Sequence, residues 1–207
     1  MVLKTSPFTR SDVEIETEET AFQGFFRMLT FRLRHKLFAG GWSRSISREL
    51  FCRGEAAAAV VYDPRRDCIG LVDQFRVGAM DSEYGPWCLE VVAGMIEGDE
   101  DPETLILKEL SEEAGVTEAE LIRITDYYST PGGCSEKIHL FCAVCALPDE
   151  GGLYGLEEEG EDIRFHIVPA DEVFEHMYAS RVNNAATLIG LQWLQMHRSE
   201  LRAAHSL

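Results

Sequence analysis

The sequence predicts an α+β fold, a layered α/β/α arrangement around a mixed sheet, preceded by an N-terminal antiparallel strand section. Three observations point there. Strand-like segments outnumber helical ones, the helical ones are unevenly spread, and no internal repeat or Gly/Ser linker divides the chain. With 207 residues, 45% of them hydrophobic, one sizeable domain with a small appendage is expected.

Residues 12–53 read as the strand-rich front section. VEIETEET alternates at Val13, Ile15 and Thr17, the pattern of a half-buried strand. FFRMLTFRLRHKL alternates through Phe26, Met28 and Thr30, and Leu33 follows. Gly40-Gly41 marks a turn, and SRSISRELF is a further short strand. AAAAVVYD (56–63) is a buried strand. The turn Asp63-Pro64-Arg65-Arg66-Asp67 returns it through CIGLVDQFR (68–76) as a hairpin. CLEVVAGMI (88–96) is expected as one apolar strand that ends at Gly94, where a turn exposes the Ala93 carbonyl. LIRITDYYST (121–130), KIHLFCAV (137–144) and DIRFHIVP (162–169) are strands, and ADEVFEHMYAS (170–180) is a short helix. A longer helix spans 183–201, with Asn183 or Asn184 as N-cap. Leu188, Leu191 and Leu194 share its buried face, with Trp193 nearby.

The formal net charge is −17. Such a chain repels polyanions, which argues against duplex nucleic acid as a partner. Six cysteines (Cys52, Cys68, Cys88, Cys134, Cys142, Cys145) lie mostly in apolar runs. Cys142 and Cys145 sit in HLFCAVCAL, which reads as a buried strand, and residues three apart on a strand face opposite ways, so a shared zinc or a disulfide is not expected there. Core thiols in a reducing compartment are the reading. MVLKTSPFTR has no apolar leader pattern, and no run approaches the roughly 18 apolar residues of a membrane helix. A cytoplasmic protein without a membrane partner is expected. The six histidines show no ligand spacing, and Trp42, Trp87 and Trp193 read as core or interface residues.

Acids cluster twice, at 97–113 and at 157–162. DPETLILKELSEEAG (101–115) is a helix bounded by local signals: Asp101 as N-cap, Pro102 at the first helical position, Glu103 at the positive end and Gly115 as the stop. Glu109 and Glu113, four apart, share a face that Glu112 borders. Three carboxylates within a turn repel one another. Either they project into water, or they bind divalent cations suited to hard oxygen ligands, Mg²⁺ or Mn²⁺. Spacing alone leaves both readings open.

Residues 94–116, GMIEGDEDPETLILKELSEEAGV, resemble the signature of the Nudix hydrolases. Gly94, Glu100, Glu109, Leu110, Glu112, Glu113, Gly115 and Val116 all fall in place. One position departs, Lys108 where that signature has arginine, and a lysine lacks the planar fork. GGWSRSISRELFCRGEAAAAVVYDPRRD, VDQFRVGAMDSEYGPWCLEVVAGMIEGDE, YYSTPGGCSEKIHLF, GLEEEGEDIRFHIV and NNAATLIGLQWLQMH are similar to the ADP-ribose pyrophosphatase branch. The likeness runs from about residue 12 to about residue 200.

That resemblance implies a Nudix sandwich and Mg²⁺-dependent cleavage of a nucleotide sugar, ADP-ribose first, to AMP and ribose 5-phosphate, with Mn²⁺ able to substitute. It implies metal ligation by the Ala93 carbonyl, Glu109, Glu113 and Glu161, with Glu112 nearby in a catalytic part. Glu159 is implied as the general base, within an acidic loop whose alignment leaves neighbouring glutamates open. Arg48 and Arg76, each at a strand end, are implied as phosphate contacts, Phe25 as an adenine-stacking ring and Glu136 as an active-site loop acid. A homodimer is implied, with residues 1–53 used in dimerisation and 54–207 forming the catalytic domain. The rivals are a pyrophosphatase for another nucleotide sugar such as GDP-mannose, a sensor that binds ADP-ribose without turning it over, and an acidic metal-buffering protein.

Overall fold

The computed structural model describes residue 3 and residues 5–156, 158 and 160–205. The chain forms two compact units, Met1–Gly54 with Tyr128–Glu136, and Glu55–Tyr127 with Lys137–Leu207.

The first unit is a three-stranded antiparallel sheet of β1 (Val13–Gln23), β2 (Arg27–His35) and β3 (Ile46–Cys52), in that order. β1 slips register twice against β2, between Ile15 and Thr17 and between Thr20 and Phe22. Such bulges add local twist. β1 is an edge strand and is almost wholly exposed. Its Glu14, Glu16, Glu18 and Glu19 put charge along an edge that would otherwise invite further strand pairing. Gly40 and Gly41 both take positive φ in the expected turn, closed by the Leu37 N–H donating to the Gly41 carbonyl. The 128–136 segment joins this unit through Phe51, which exchanges backbone hydrogen bonds with Gly133 and Ser135.

The second unit is built on β4 (Glu55–Asp63), β5 (Cys68–Phe75), β6 (Trp87–Glu90), β7 (Val92–Met95), β8 (Glu120–Tyr128), β9 (Lys137–Val144), β10 (Gly152–Tyr154) and β11 (Ile163–Pro169). Its helices are α1 (Pro102–Ala114), α2 (Ala170–His176) and α3 (Ala185–Ala204). The strand order is β10-β11-β5-β4-β9-β8, with β6 added on β5 and β7 on β4. β4 and β9 pair in parallel from Glu55↔Lys137 to Tyr62↔Val144, whereas β4 pairs antiparallel with β5 and β7. The sheet is therefore mixed.

β4 explains the layering. Its residues from Ala56 to Asp63 are all buried, so the apolar run lacks alternation. Ala56, Ala58, Val60 and Tyr62 face one core with Leu140, Val173, Leu191 and Leu194, supplied by β9, α2 and α3. Ala57, Ala59 and Val61 face the other core with Leu105, Ile106, Leu110 and Ala114 of α1. Small residues let the helices approach: a Cβ on Gly190 of α3 would stand 3.3 Å from the Val60 Cβ.

The expected strand over 88–96 is two strands. β6 pairs with β5 and β7 with β4, and between them the Val91 N–H donates to the Thr187 hydroxyl of α3 at 3.0 Å. Gly94 does not end the strand; it pairs with Ala57 inside β7. β10, three residues long, was not anticipated, because its pairing with β11 is visible only in three dimensions. The helix expected over 170–180 stops at His176. Cys142 packs in the first core and Cys145 against the second, so they lie on opposite sides of the sheet; all six cysteines are free thiols.

Candidate active site

α1 carries the candidate acids, and local chemistry fixes where it starts and stops. Asp101 caps it by accepting the Thr104 N–H at 3.0 Å, and Pro102 follows. Gly115 closes it with φ 65°, a left-handed conformation that glycine takes without strain. Leu105, Ile106, Leu110 and Ala114 anchor the helix in the core. That anchoring sets its rotation, and so carries Glu113 inward with Leu110 and Ala114.

Glu113 is 2% exposed. Its Oε2 accepts the Ala93 backbone N–H at 3.3 Å. Burial pushes its carboxyl up to about 8, and the charge of Glu109 adds to the rise. The Ala93 N–H opposes the rise, Glu161 adds to it and Arg76 opposes it. Four of the predicted site residues thus act on one buried carboxyl.

β7 supplies the facing wall. Among the described residues it pairs only with β4, so its other edge is unladdered. Within a strand the N–H and C=O of one residue point to the same edge. The N–H of Ala93 is turned to Glu113, so its carbonyl lies along that same free edge. The turn expected at Gly94 is not what exposes this carbonyl; the edge position is. Gly94 serves a different purpose, because a Cβ there would stand 2.2 Å from Oε1 of Glu109. The glycine lets the Glu109 carboxylate lie across the strand.

The loop after β10 closes the acidic side. The Gly155 N–H donates to the Glu112 carbonyl at 3.4 Å, and Tyr154 lies over Gly115. Glu161 folds back so that its Oε2 accepts the Leu156 N–H at 3.1 Å. Gly155, at φ 98°, also leaves room for Glu161, whose Cβ would sit 2.8 Å from a Cβ at that position. Glu159, the expected base, lies outside the described residues.

This donor set fits a divalent cation. A buried carboxylate beside two others and a strand carbonyl is a hard-oxygen environment, and its repulsion is relieved by positive charge. Among the described residues, no three acidic, His or Cys side chains already form a closed ligand set.

Arg76 stands at the edge of the same unit. Its Nε donates to Oε2 of Glu90 at 2.6 Å, and Glu90 is largely buried. Arg76, Glu90, Asp81, Ser82, Asn183 and Asn184 help to line a cleft of about 410 Å³. Glu90 was not singled out in the sequence; the available signal was a carboxylate inside the apolar run CLEVV.

Phe25, Arg48 and Glu136 belong to the other unit. Phe25 is 86% exposed and packs edge-on to Phe26, with centroids 4.8 Å apart. Arg48 is exposed and its Nη1 donates to the Ser47 carbonyl. Oε1 of Glu136 accepts Nη1 of Arg53 at 2.7 Å, a partner the sequence did not suggest. His139, which has no sequence spacing to a partner, is buried between Glu55 at 2.7 Å and Asp126 at 3.2 Å. Its partners come from other strands.

The family model described as the NUDIX domain matches residues 53–188. The chain belongs to the Nudix family. A relative from Haemophilus influenzae named ADP-ribose pyrophosphatase is 40% identical over 198 residues, covering 94% of this chain and 91% of its own. A more distant relative from Cronobacter sakazakii named GDP-mannose pyrophosphatase is 31% identical over 191 residues, covering 89% of this chain and 96% of its own. A crystal structure of an ADP compounds hydrolase matches with a TM-score of 0.68 at 21% identity, over 90% of this chain and 96% of that one. That likeness supports the Nudix fold, α+β with a mixed sheet and an antiparallel N-terminal sheet. Within the Nudix signature, Nζ of Lys108 lies 3.5 Å from Oε2 of Glu112. More than half of its side chain is exposed, so this pair braces Glu112 weakly.

Proposed function

We propose that the chain hydrolyses the pyrophosphate bond of ADP-ribose, giving AMP and ribose 5-phosphate, with Mg²⁺ as the cation and Mn²⁺ as a substitute. The observation that carries this reading is Glu113, a carboxylate almost wholly removed from water with two further acids raising its proton affinity. Burying such a group is costly unless something neutralises it. Likeness to the ADP-ribose pyrophosphatase from H. influenzae over nearly the whole chain supports the substrate.

In this mechanism the Ala93 carbonyl, Glu109, Glu113 and Glu161 hold the cation. When bound, the cation offsets the charge of the diphosphate, polarises its phosphoryl oxygens and acidifies bound water. Arg76, braced through its Nε by Glu90, offers its remaining N–H groups to the phosphates, and Arg48 does the same from the N-terminal sheet. Phe25 stacks on the adenine. Glu159 accepts the proton of the attacking water. Glu112, weakly braced by Lys108, orients the reacting groups beside Glu109 and Glu113. Glu136, held by Arg53, lends a carboxylate to the substrate or to the base.

The enzyme acts as a cytoplasmic homodimer on a small molecule, with no nucleic acid or membrane partner. Residues 1–53 serve dimerisation and 54–207 catalysis. Among the described residues no helix is long and apolar enough to cross a membrane. Sedimentation should show a dimer, and a fully active monomer would contradict that part.

The GDP-mannose pyrophosphatase relative gives the second reading its footing. Product analysis with Mg²⁺ and a panel of nucleotide sugars tests the choice. ADP-ribose should be cleaved with the highest kcat/KM, and preference for GDP-mannose would overturn the assignment. Binding of ADP-ribose without Mg²⁺-dependent cleavage would make the protein a sensor instead.

A further inference from the structure

The cleft beside Arg76 has no role in the scheme so far, although Arg76 itself does. It is lined by Arg76, Gly78, Ala79, Asp81, Ser82, Cys88, Glu90, Asn183 and Asn184, all within the second unit. At about 410 Å³ it is at the small end of ligand sites. Two properties restrict what it can take.

The first is that, among the described residues, no ring or large apolar side chain lines it. A nucleobase offers flat π-faces and is held by stacking, so this cleft suits a base poorly. The second is the mixture of polar groups. One cation, Arg76, stands near two carboxylates, a hydroxyl and two amides. Glu90 occupies Nε of Arg76, which leaves the other guanidinium N–H groups available to an anion. Carboxylates accept from hydroxyls, and amides both donate and accept. A molecule that carries both a phosphate and several hydroxyls matches this set of groups. Gly78 and Ala79 leave space where larger side chains would fill it.

We infer that this cleft binds the sugar-phosphate half of the substrate, with Arg76 on the phosphate and Asp81, Ser82 and Asn183 on the sugar hydroxyls. The inference rests on the reading of the chain as a nucleotide-sugar pyrophosphatase, and it makes these three residues specificity determinants rather than catalytic ones. Asn183 is suited to a test because the α3 cap is made by the neighbouring Asn184, whose Oδ1 accepts the Thr187 N–H. Its replacement leaves the helix cap in place.

The test is calorimetric binding of two probes, ribose 5-phosphate and AMP, to the wild-type chain and to Asn183→Ala and Asp81→Ala. The wild type should bind ribose 5-phosphate. Each substitution should weaken that binding by roughly 3- to 10-fold, the loss of one hydrogen bond, and leave AMP binding within about twofold. The inference is overturned if the wild type does not bind ribose 5-phosphate, if both substitutions leave its affinity unchanged, or if AMP weakens in parallel. Thermal melts of the variants check that folding is intact. Failure of the pyrophosphatase reading is a separate result, the absence of Mg²⁺-dependent ADP-ribose cleavage by the wild type.

Discussion

Asp67 and Glu113, two carboxylates of the second unit, are treated in opposite ways. Asp67 sits in the β4–β5 turn and is surrounded by its own protein's donors. Oδ1 accepts the Tyr62 hydroxyl at 2.7 Å and Nε of Arg198 at 2.9 Å; Oδ2 accepts from Arg198 and from Nη1 of Arg202 at 2.8 Å. The hydrogen bonds from Arg198 hold its carboxyl below the usual range, against the effect of burial. Among the described residues Glu113 accepts from one backbone donor, and it has acidic neighbours; burial drives it upward. Asp67 is complete within the fold and ties α3 to the β4–β5 hairpin. Glu113 is left with a raised proton affinity, the mark of a carboxylate at a functional site.

Glu113→Gln breaks the comparison most sharply. Turnover should fall at least roughly 100-fold, the scale of losing one preorganised charge at a reacting centre. Above pH 8 and without divalent cation the same variant should melt at a higher temperature than wild type, because it no longer buries a charge. Kinetics and thermal melts on one preparation check both; near wild-type activity would sink the metal assignment.

Asp67→Asn should do the reverse. Asp67 has positive φ, which asparagine tolerates, so the change isolates the charge. About 2 kcal/mol of stability should be lost as charge-assisted hydrogen bonds weaken. The kcat of the folded enzyme should hold. Urea melts and assays at low temperature separate the two effects.

The two groups also predict opposite pH responses. The folded-state proton affinity of Glu113 is raised, so its contribution to stability is complete below about 4.5 and is lost as pH climbs through about 8. That of Asp67 is lowered, so its contribution is present above the ordinary value of 3.8 and is lost as pH falls through the depressed one. Melting temperature against pH should show the first loss only without Mg²⁺. A high-pH loss that Mg²⁺ leaves unchanged would count against the comparison. The smallest effect is expected from Lys108→Arg, which should raise kcat by no more than about threefold through a firmer hold on Glu112.

Local rules made much of this legible. The N-cap, first-position proline and stop glycine of α1 follow from residues within a turn of each end, and the structure keeps all three. The carboxylate spacing on α1 followed from helical geometry alone. The break at Val91 did not, because the competing acceptor, Thr187, lies 96 residues away. Gly94 read as a turn glycine, and its actual cause is the Glu109 side chain crossing it. Glu90 and Arg53 escaped notice for the same reason. Their importance comes from partners brought by other strands or by more distant segments of chain, and one-dimensional spacing carries no record of those.

The central claim is that Glu113 waits for a divalent cation. With its proton affinity near 8, Glu113 is mostly protonated at pH 7 and must release that proton to ligate a metal. Calorimetric titration of Mg²⁺ at pH 7 in buffers of different ionisation enthalpy counts the protons released. Close to one proton per bound ion is predicted for the wild type, and close to none for Glu113→Gln. Binding of Mg²⁺ with no proton release in the wild type, or with equal release in both, would contradict it.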